Sequence, residues 1–406
     1  MRPLLLSGWG IKLRVQDLKS RSWLTITDGR LNDKQSTERR FPPRRFPYSC
    51  VLLDGFSGYL SLRAVHWLAR NGTPVYFLDV DGSLLSALLP ATPVKADLRV
   101  GQLHSADDPE KKVVIAKRFV HAKLLRSLAV LDWAMETQDI AREVRATRLM
   151  MRVEAKKLRK ATTVSGLRII EGRVARRYWQ AYCKAMPQHL EFPGRMTAQH
   201  NNNASDPVNS ALNYGYGFLE GECRKAINGV GLDPSVGFLH DFSDYQTKQS
   251  LVYDLMEPFR WLVDLSVLQA FQSKLLDWSS FYFTAKDYRY RFTLEAKKKF
   301  IEKLKEQFNK GVAYRGRHMR WDNVIQHKTV ELSRFLVGKS STLNFDEPSP
   351  VLERADNRLM REKILSLTQS EARTRGIGRS TLHYLRKNAC KDQFTIYKPV
   401  MRKLSA

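Results

Sequence analysis

The stretch "QSLVYDLMEPFRWLVD", residues 249–264, sets two carboxylates, Asp254 and Glu257, inside a run that is otherwise apolar. On a helix, positions i and i+3 share a face, and Leu251, Val252, Leu255 and Met256 supply packing around them. Like charges in such surroundings are costly unless a cation or hydrogen-bond donor compensates them. Arg260 lies one turn on. The segment therefore reads as a buried helix of an α-helical domain, and the reason for burying two acids in it becomes the question of function.

Around this helix the period stays helical from about 105 to 340. "EKKVVIAKRFVHAKLLRSLAVLDWAM" and "DIAREVRATRLMMRVEAKKLRKA" alternate apolar and basic faces, one to pack and one for solvent or phosphate. The first 95 residues read differently. "PLLLSGWGIKLRV" reads as two strands about a Gly-Trp-Gly turn, "SWLTITDGRL" as a strand closed by Asp-Gly, and "TPVYFLDVDGSLLSAL" as a strand, an Asp-Gly turn and a strand. Between them "SGYLSLRAVHWLARNG" reads as one helix from a Ser start to an Asn-Gly stop. The expected fold is α+β: an N-terminal β-rich domain at 1–95, an all-α catalytic domain at 96–338, a Ser/Thr/Pro-rich linker at 339–352, and a small C-terminal helix-turn-helix at 353–406.

The chain has 406 residues, 43% of them hydrophobic, with 68 Lys and Arg against 41 acids and a formal net charge of +27, so its expected partner is a polyanion, nucleic acid first. No apolar run approaches the roughly 18 residues of a spanning helix, and the N-terminus turns polar too soon for a signal peptide. A cytoplasmic protein without a membrane partner is expected. Cys50, Cys183, Cys223 and Cys390 show no CxxC pairing, which argues against a zinc site or a disulfide framework. "VGKSST" near 337 lacks the upstream glycine of a phosphate-binding loop, so no nucleotide triphosphate is expected.

Two more segments bear on the acids. "SGLRIIEGRVARRYWQAY" carries Glu171, followed by Arg173, Arg176, Arg177 and Tyr178; "GVGLDPSVGFLHDFSDYQ" ends an apolar run on His240. A histidine so placed is as a rule a hydrogen-bonded structural residue. One Glu, one His and an Asp or Glu from three segments would instead make an oxygen-rich site with one imidazole, suited to Mn²⁺ or Mg²⁺ and to phosphodiester chemistry. Spacing alone does not bring the three together. The helix opening after Asp206-Pro207 offers Asn209, Asn213, Tyr214 and Tyr216 towards the site or DNA, although Asn and Tyr also build ordinary helix interfaces.

The ordered motifs "IIEGRVARRYW", "DPVNSALNYGYGFLEGECRKAINGVGLDPSVGFLH" and "SLVYDLMEPFRWLVD", with "LARNGTPVYFLDVDG" upstream, resemble the signature series of the CRISPR-associated adaptation integrases over roughly residues 1 to 340. The resemblance implies an N-terminal β-domain, a helical domain holding Mn²⁺ or Mg²⁺ on Glu171, His240 and Glu257, Asp254 as a further catalytic acid placing a water, a second metal or the incoming hydroxyl, and a homodimer or higher assembly on double-stranded DNA. Tyr178 is implied as a positioning residue, not a covalent nucleophile, and is expected with Arg173, Arg176, Arg177 and Asn209 among the DNA contacts.

The tail departs from that family and resembles the casposases. "LTQSEARTRGIGRSTLHYLRKN" has the cadence of a helix-turn-helix: a helix carrying Ala372, a Gly-Ile-Gly turn, and a second helix capped near Ser380 with Leu382 and Leu385 inward. Its outward residues would be Arg379, Thr381, His383, Tyr384, Arg386 and Lys387, which read base edges and grip phosphates. Residues 353–406 hold thirteen Lys or Arg against five acids, a net of about +8. The function implied is an integrase or transposase joining 3′-hydroxyl ends of a mobile DNA element to target DNA by metal-dependent transesterification, with possible endonuclease activity. A spacer-inserting CRISPR integrase and a non-catalytic architectural DNA-binding protein are the alternatives.

Overall fold

The structure, a computed structural model, describes residues 2–18, 21–29, 37–43, 45–55, 57–79, 84–90, 96–137, 140–195, 204–240, 249–286, 288–349 and 364–389. Its N-terminal part holds β1 (Arg2–Ser7), β2 (Ile11–Leu18), β3 (Arg21–Thr27), β4 (Glu38–Phe41), β5 (Tyr48–Asp54), β6 (Gly58–Leu60), α1 (Leu62–Arg70), β7 (Val75–Leu78) and β8 (Leu84–Leu88). The two strands read around Gly-Trp-Gly do not form a hairpin. They part into separate four-stranded sheets, β1-β5-β7-β8 and β4-β3-β2-β6. The α1 helix starts later than its sequence pattern implies, with Ser61 as N-cap and Leu60 left in β6.

The chemistry of the strands explains the division. In the first sheet β1, β5 and β7 run parallel, and their unbroken apolar runs are what a sheet covered on both faces requires. Cys50, Leu52, Tyr76 and Leu78 face the helical body, while Leu4, Leu6, Val51, Leu53 and Val75 pack with α1 and the second sheet. In β2 the alternation of buried Ile11 and Leu13 with exposed Lys12 and Arg14 marks a sheet with one face in water. The Asp81-Gly82 turn lies outside the described residues, but β7 and β8 pair antiparallel as expected.

The helical body comprises α2 (Ala96–Asp107), α3 (Pro109–Thr137), α4 (Ala141–Lys160), α5 (Val164–Ala185), α6 (Pro207–Val230), α7 (Ser250–Met256), α8 (Arg260–Gln272), α9 (Leu294–Asn309) and α10 (Trp321–Leu336). It is not all-α. Two antiparallel hairpins, β9 (Phe281–Thr284) with β10 (Arg289–Phe292) and β11 (Gly311–Tyr314) with β12 (Arg317–Arg320), interrupt the helices. Both replace the helical period with alternation, and both turn through a left-handed residue, Tyr288 at φ 54° and Arg315 at φ 51°.

Close helix contact at the centre depends on Gly215 of α6, where a Cβ would stand 2.4 Å from Val263 of α8. The expected linker also behaves differently over its described part, 339–349. Leu343 and Phe345 are buried in the helical core, the Phe345 ring lies 4.7 Å from that of Phe119, and the buried Arg126 donates to the Phe345 carbonyl at 2.8 Å. Two apolar anchors in a polar stretch, Leu343 and Phe345, dock it. Farther on, α11 (Gln369–Thr374) and α12 (Arg379–Ala389) enclose their own small core of Ile364, Leu367, Ala372, Ile377, Leu382, Leu385 and Ala389.

The sheet is locked to the helical body by a buried ion pair. Lys297 Nζ on α9 reaches Asp54 Oδ1 and Oδ2 at the end of β5 at 3.0 and 2.9 Å. Removing one member strands the other charge, so Lys297→Met is expected to lower the unfolding free energy by about 3 kcal/mol, and adding Asp54→Asn to restore most of it. Urea denaturation of the two variants checks this; a double variant as unstable as the single one would show that the pair is not the cause.

Candidate active site

The three sequence-predicted pieces converge on the wall of one open cavity of about 910 Å³, which Glu171, His240 and Glu257 line together with Lys123, Arg168, Arg195 and Arg260. Glu171 projects from the second turn of α5, a helix begun by the Thr163 side chain accepting from the Gly166 amide. Glu257 opens a short 3₁₀ turn, Glu257–Phe259, between α7 and α8. His240 is the last described residue of the segment that follows α6.

Asp254 is wholly buried and does not line the cavity. It accepts the amides of Phe238, Leu239 and His240 at 2.5, 2.9 and 2.9 Å, and its Oδ1 lies 2.7 Å from His240 Nδ1. The loop can approach because residue 237 is glycine; a Cβ there would stand 2.7 Å from the Ser250 side chain. Arg168 of α5 holds the loop from the other side, donating to the Leu239 carbonyl at 2.8 Å. Asp254 is thus no handle for a water, a second metal or a hydroxyl: all its accepting capacity is spent on the loop. Its carboxylate assigns the proton of His240 to Nδ1 and leaves Nε2 as the basic nitrogen.

Glu257 is 4% exposed. Its Oε1 accepts from Arg260 Nε at 3.0 Å, and its Oε2 lies 2.6 Å from the Lys123 ammonium without a well-directed hydrogen bond. Burial pushes this carboxyl up, but Arg260, Lys123 and His240 outweigh it and hold it down at about 2. Lys123 also pairs with Glu171, so a single ammonium from the middle of α3 bridges the two carboxylates. Burial opposes its charge, and the two glutamates more than restore it.

A third buried acid, Asp264, stands on α8 and also lines the cavity. It accepts the hydroxyls of Tyr178 at 2.8 Å and Tyr216 at 2.5 Å, and burial raises its carboxyl above the ordinary value. The Arg260 guanidinium stacks over the Tyr216 ring at 4.9 Å. Tyr178, expected among the DNA contacts, is therefore a buried donor to Asp264. Asn209 is likewise internal: it donates to Asp206 Oδ2 at 2.6 Å and to the Gly194 carbonyl at 3.1 Å, and accepts from Arg195. Both lost their expected role because a helix this deeply buried must satisfy its own polar groups.

The exposed side of α5 carries Arg173, Arg176 and Arg177, the first two on the cavity rim. In the tail, Arg379, Ser380, Thr381, His383, Tyr384 and Lys387 are exposed, with Ser380 inside the first turn of α12 rather than capping it. Arg386 instead turns back to the Leu367 carbonyl at 2.6 Å. Lys123, Arg195 and Asp264 escaped the sequence reading. Asp264 had a signal, being one more acid within the apolar run; Lys123 resembles every other lysine of a basic amphipathic helix.

The sequence pattern of the family described as CRISPR associated protein Cas1 matches residues 20–306. The chain belongs to the Cas1 family. The CRISPR-associated endonuclease Cas1 1 of Archaeoglobus fulgidus is 30% identical over 305 residues, 71% of this chain and 86% of that one. The Cas1 endonuclease of Methanopyrus kandleri is 32% identical over 236 residues, 55% of this chain and 67% of that one. Among solved structures, a casposase bound to integration product superposes with a TM-score of 0.81 at 35% identity, covering 90% of this chain and 99% of that one. A Cas1 protein from Thermotoga maritima, at 19% identity and a TM-score of 0.66 over 87% and 100% of the two chains, shares the fold.

In this Cas1-family chain Lys123 neutralises two facing carboxylates, one of them buried. Lys123→Met is expected to cost about 2 kcal/mol of stability in chelator at neutral pH, with most of it recovered by adding Glu257→Gln. Thermal unfolding of the single and double variants measures it, and an unshifted single variant would mean that Arg260 suffices alone.

Proposed function

We propose that this chain is a DNA integrase of the casposase kind, joining the 3′-hydroxyl ends of a mobile element to target DNA by metal-dependent transesterification. The observation that carries the reading is the meeting of Glu171, His240 and Glu257 on one basic cavity, in a chain that matches a casposase bound to integration product along 90% of its length.

Whether these residues suit a metal can be judged from their chemistry. As they stand, no three His, Cys, Asp or Glu side chains among the described residues are grouped closely enough to hold an ion, because Lys123 lies between the carboxylates. The donors nonetheless fit a hard divalent cation: two carboxylates, one with a buried oxygen making no hydrogen bond, and an imidazole whose Nε2 is left basic by Asp254. Mn²⁺ or Mg²⁺ held by Glu171, His240 and Glu257 would act as a Lewis acid on the target phosphodiester.

The protein's own groups do the rest. Asp254 fixes the imidazole, and Arg260 and Lys123, which line the cavity beside Glu257, supply the cations that a phosphodiester entering it would meet. The 3′-oxygen forms the new P–O bond as the target strand's P–O bond breaks, and the displaced 3′-oxygen takes up the proton. One phosphodiester replaces another, so no nucleotide triphosphate is consumed. Joining two ends to opposite strands requires two such sites held together, which supports a homodimer or higher assembly on double-stranded DNA. We place α11 and α12 as a helix-turn-helix that reads the element's ends through the exposed residues of α12.

In a strand-transfer assay with a labelled duplex, a supercoiled target and Mn²⁺ or Mg²⁺, Glu171→Ala, His240→Ala and Glu257→Ala should each abolish joining while DNA binding survives; full activity in all three refutes the site. Asp254→Ala should weaken Mn²⁺ binding, measured by calorimetry, about 10- to 100-fold. Deleting residues 351–406 should reduce discrimination between element ends and unrelated ends more than joining itself. Indifference to end sequence in the full chain would favour the CRISPR-integrase reading.

A further inference from the structure

The hairpin β9–β10 carries a feature that neither the core nor the metal-site chemistry uses. Phe281 and Phe292, paired across it, are buried with ring centroids 4.5 Å apart and anchor it in the helical core. The same face then continues outward: Phe283 opposite Tyr290 at 5.3 Å, Trp278 against Tyr290 at 5.5 Å, and Tyr288 beside Phe283 at 6.1 Å. Tyr282 stands on the other face, opposite Arg291.

These outer rings are in water. Trp278, Tyr282, Phe283 and Tyr288 are 40%, 53%, 49% and 71% exposed, and they are four of the seven aromatic residues so exposed among the described residues. Such a concentration in eleven residues is not scatter. The Trp278 indole donates to the His189 carbonyl at 3.1 Å, and the Tyr290 amide to the Ala204 carbonyl at 2.8 Å. The first of these ties the hairpin to residues 189–195, whose Pro193, Gly194 and Arg195 line the cavity with Glu257.

We propose that this hairpin is a stacking platform for unpaired bases of the DNA that enters the cavity. Exposed rings on a ribbon that carries Lys286, Arg289 and Arg291 against the single acid Asp287 match a ligand that is at once polyanionic and rich in π-faces. Paired bases already stack on their neighbours, so the rings discriminate for single-stranded nucleotides. A second copy of this chain is the poorer occupant of this face, because a two-fold contact across the hairpin would set its cations against their own copies. The inference takes from the proposed function only that the ligand is DNA.

The test compares full-length wild type with the triple variant Tyr282→Ser, Phe283→Ser, Tyr288→Asn, the asparagine suiting the left-handed backbone at 288. The probes are a blunt duplex and the same duplex with a single-stranded 3′ tail carrying 2-aminopurine. The variant should lose about tenfold or more in affinity for the tailed duplex and less than twofold for the blunt one. It should also lose the fluorescence change that wild type induces in the tail, and Phe283→Tyr should retain it. Equal loss on both probes would overturn the proposal, since it would mark phosphate contact or misfolding. Unchanged binding with an altered oligomeric state would overturn it too, and assign the rings to self-association. Wild type that binds neither probe would instead refute the integrase reading.

Discussion

A glutamate that must stay charged inside an apolar run organises the centre of this molecule. Glu257 is almost fully buried, and an unpaired carboxylate there would be prohibitively unfavourable. Arg260 from its own chain segment answers half of that demand. The other half is answered from α3, whose Lys123 reaches Glu257 and Glu171 together, while Arg126, one turn on, donates to the carbonyl of Pro258. The longest helix of the body is therefore pinned across the break between α7 and α8. Everything that packs on α3 inherits that position, including the docked segment at Phe345.

The same apolar run solves the burial of a carboxylate in three ways. Asp254 takes backbone amides and an imidazole, which makes it rigid and turns it into a positioning group. Asp264 takes two tyrosine hydroxyls, and its tendency to protonate rises with burial. Only Glu257 is compensated by charged side chains, Lys123 and Arg260, that themselves line the cavity. Ammonium and guanidinium can withdraw or be shared with a phosphate, whereas amides and tyrosines fixed in helices cannot. That difference singles out Glu257, with Glu171 beside it, as the acid able to exchange its partners for a ligand.

The parallel sheet is covered on both faces, so its position against the helices is set by packing and sealed by Asp54 and Lys297. Part of the basic excess lies on the exposed sides of α5 and α12, where phosphates can approach.

Much of this was readable from the amino-acid order. Two acids among leucines, an Asn-Gly helix stop, unbroken apolar strands and a large positive charge reflect local periodicity and composition, which are properties of short segments. The ordered motifs around Glu171, His240 and Glu257 carried the family. What the order could not state was which groups meet. Tyr178 and Asn209 looked like DNA contacts and are buried donors; Asp254 looked like a catalytic acid and is tied to the His240 loop; Arg386 looked outward and folds back on Leu367. Lys123 carries no local mark at all. Its role depends on two carboxylates 48 and 134 residues further along the chain, and only the packing of α3 against α5 and the 3₁₀ turn brings those charges within ion-pair distance.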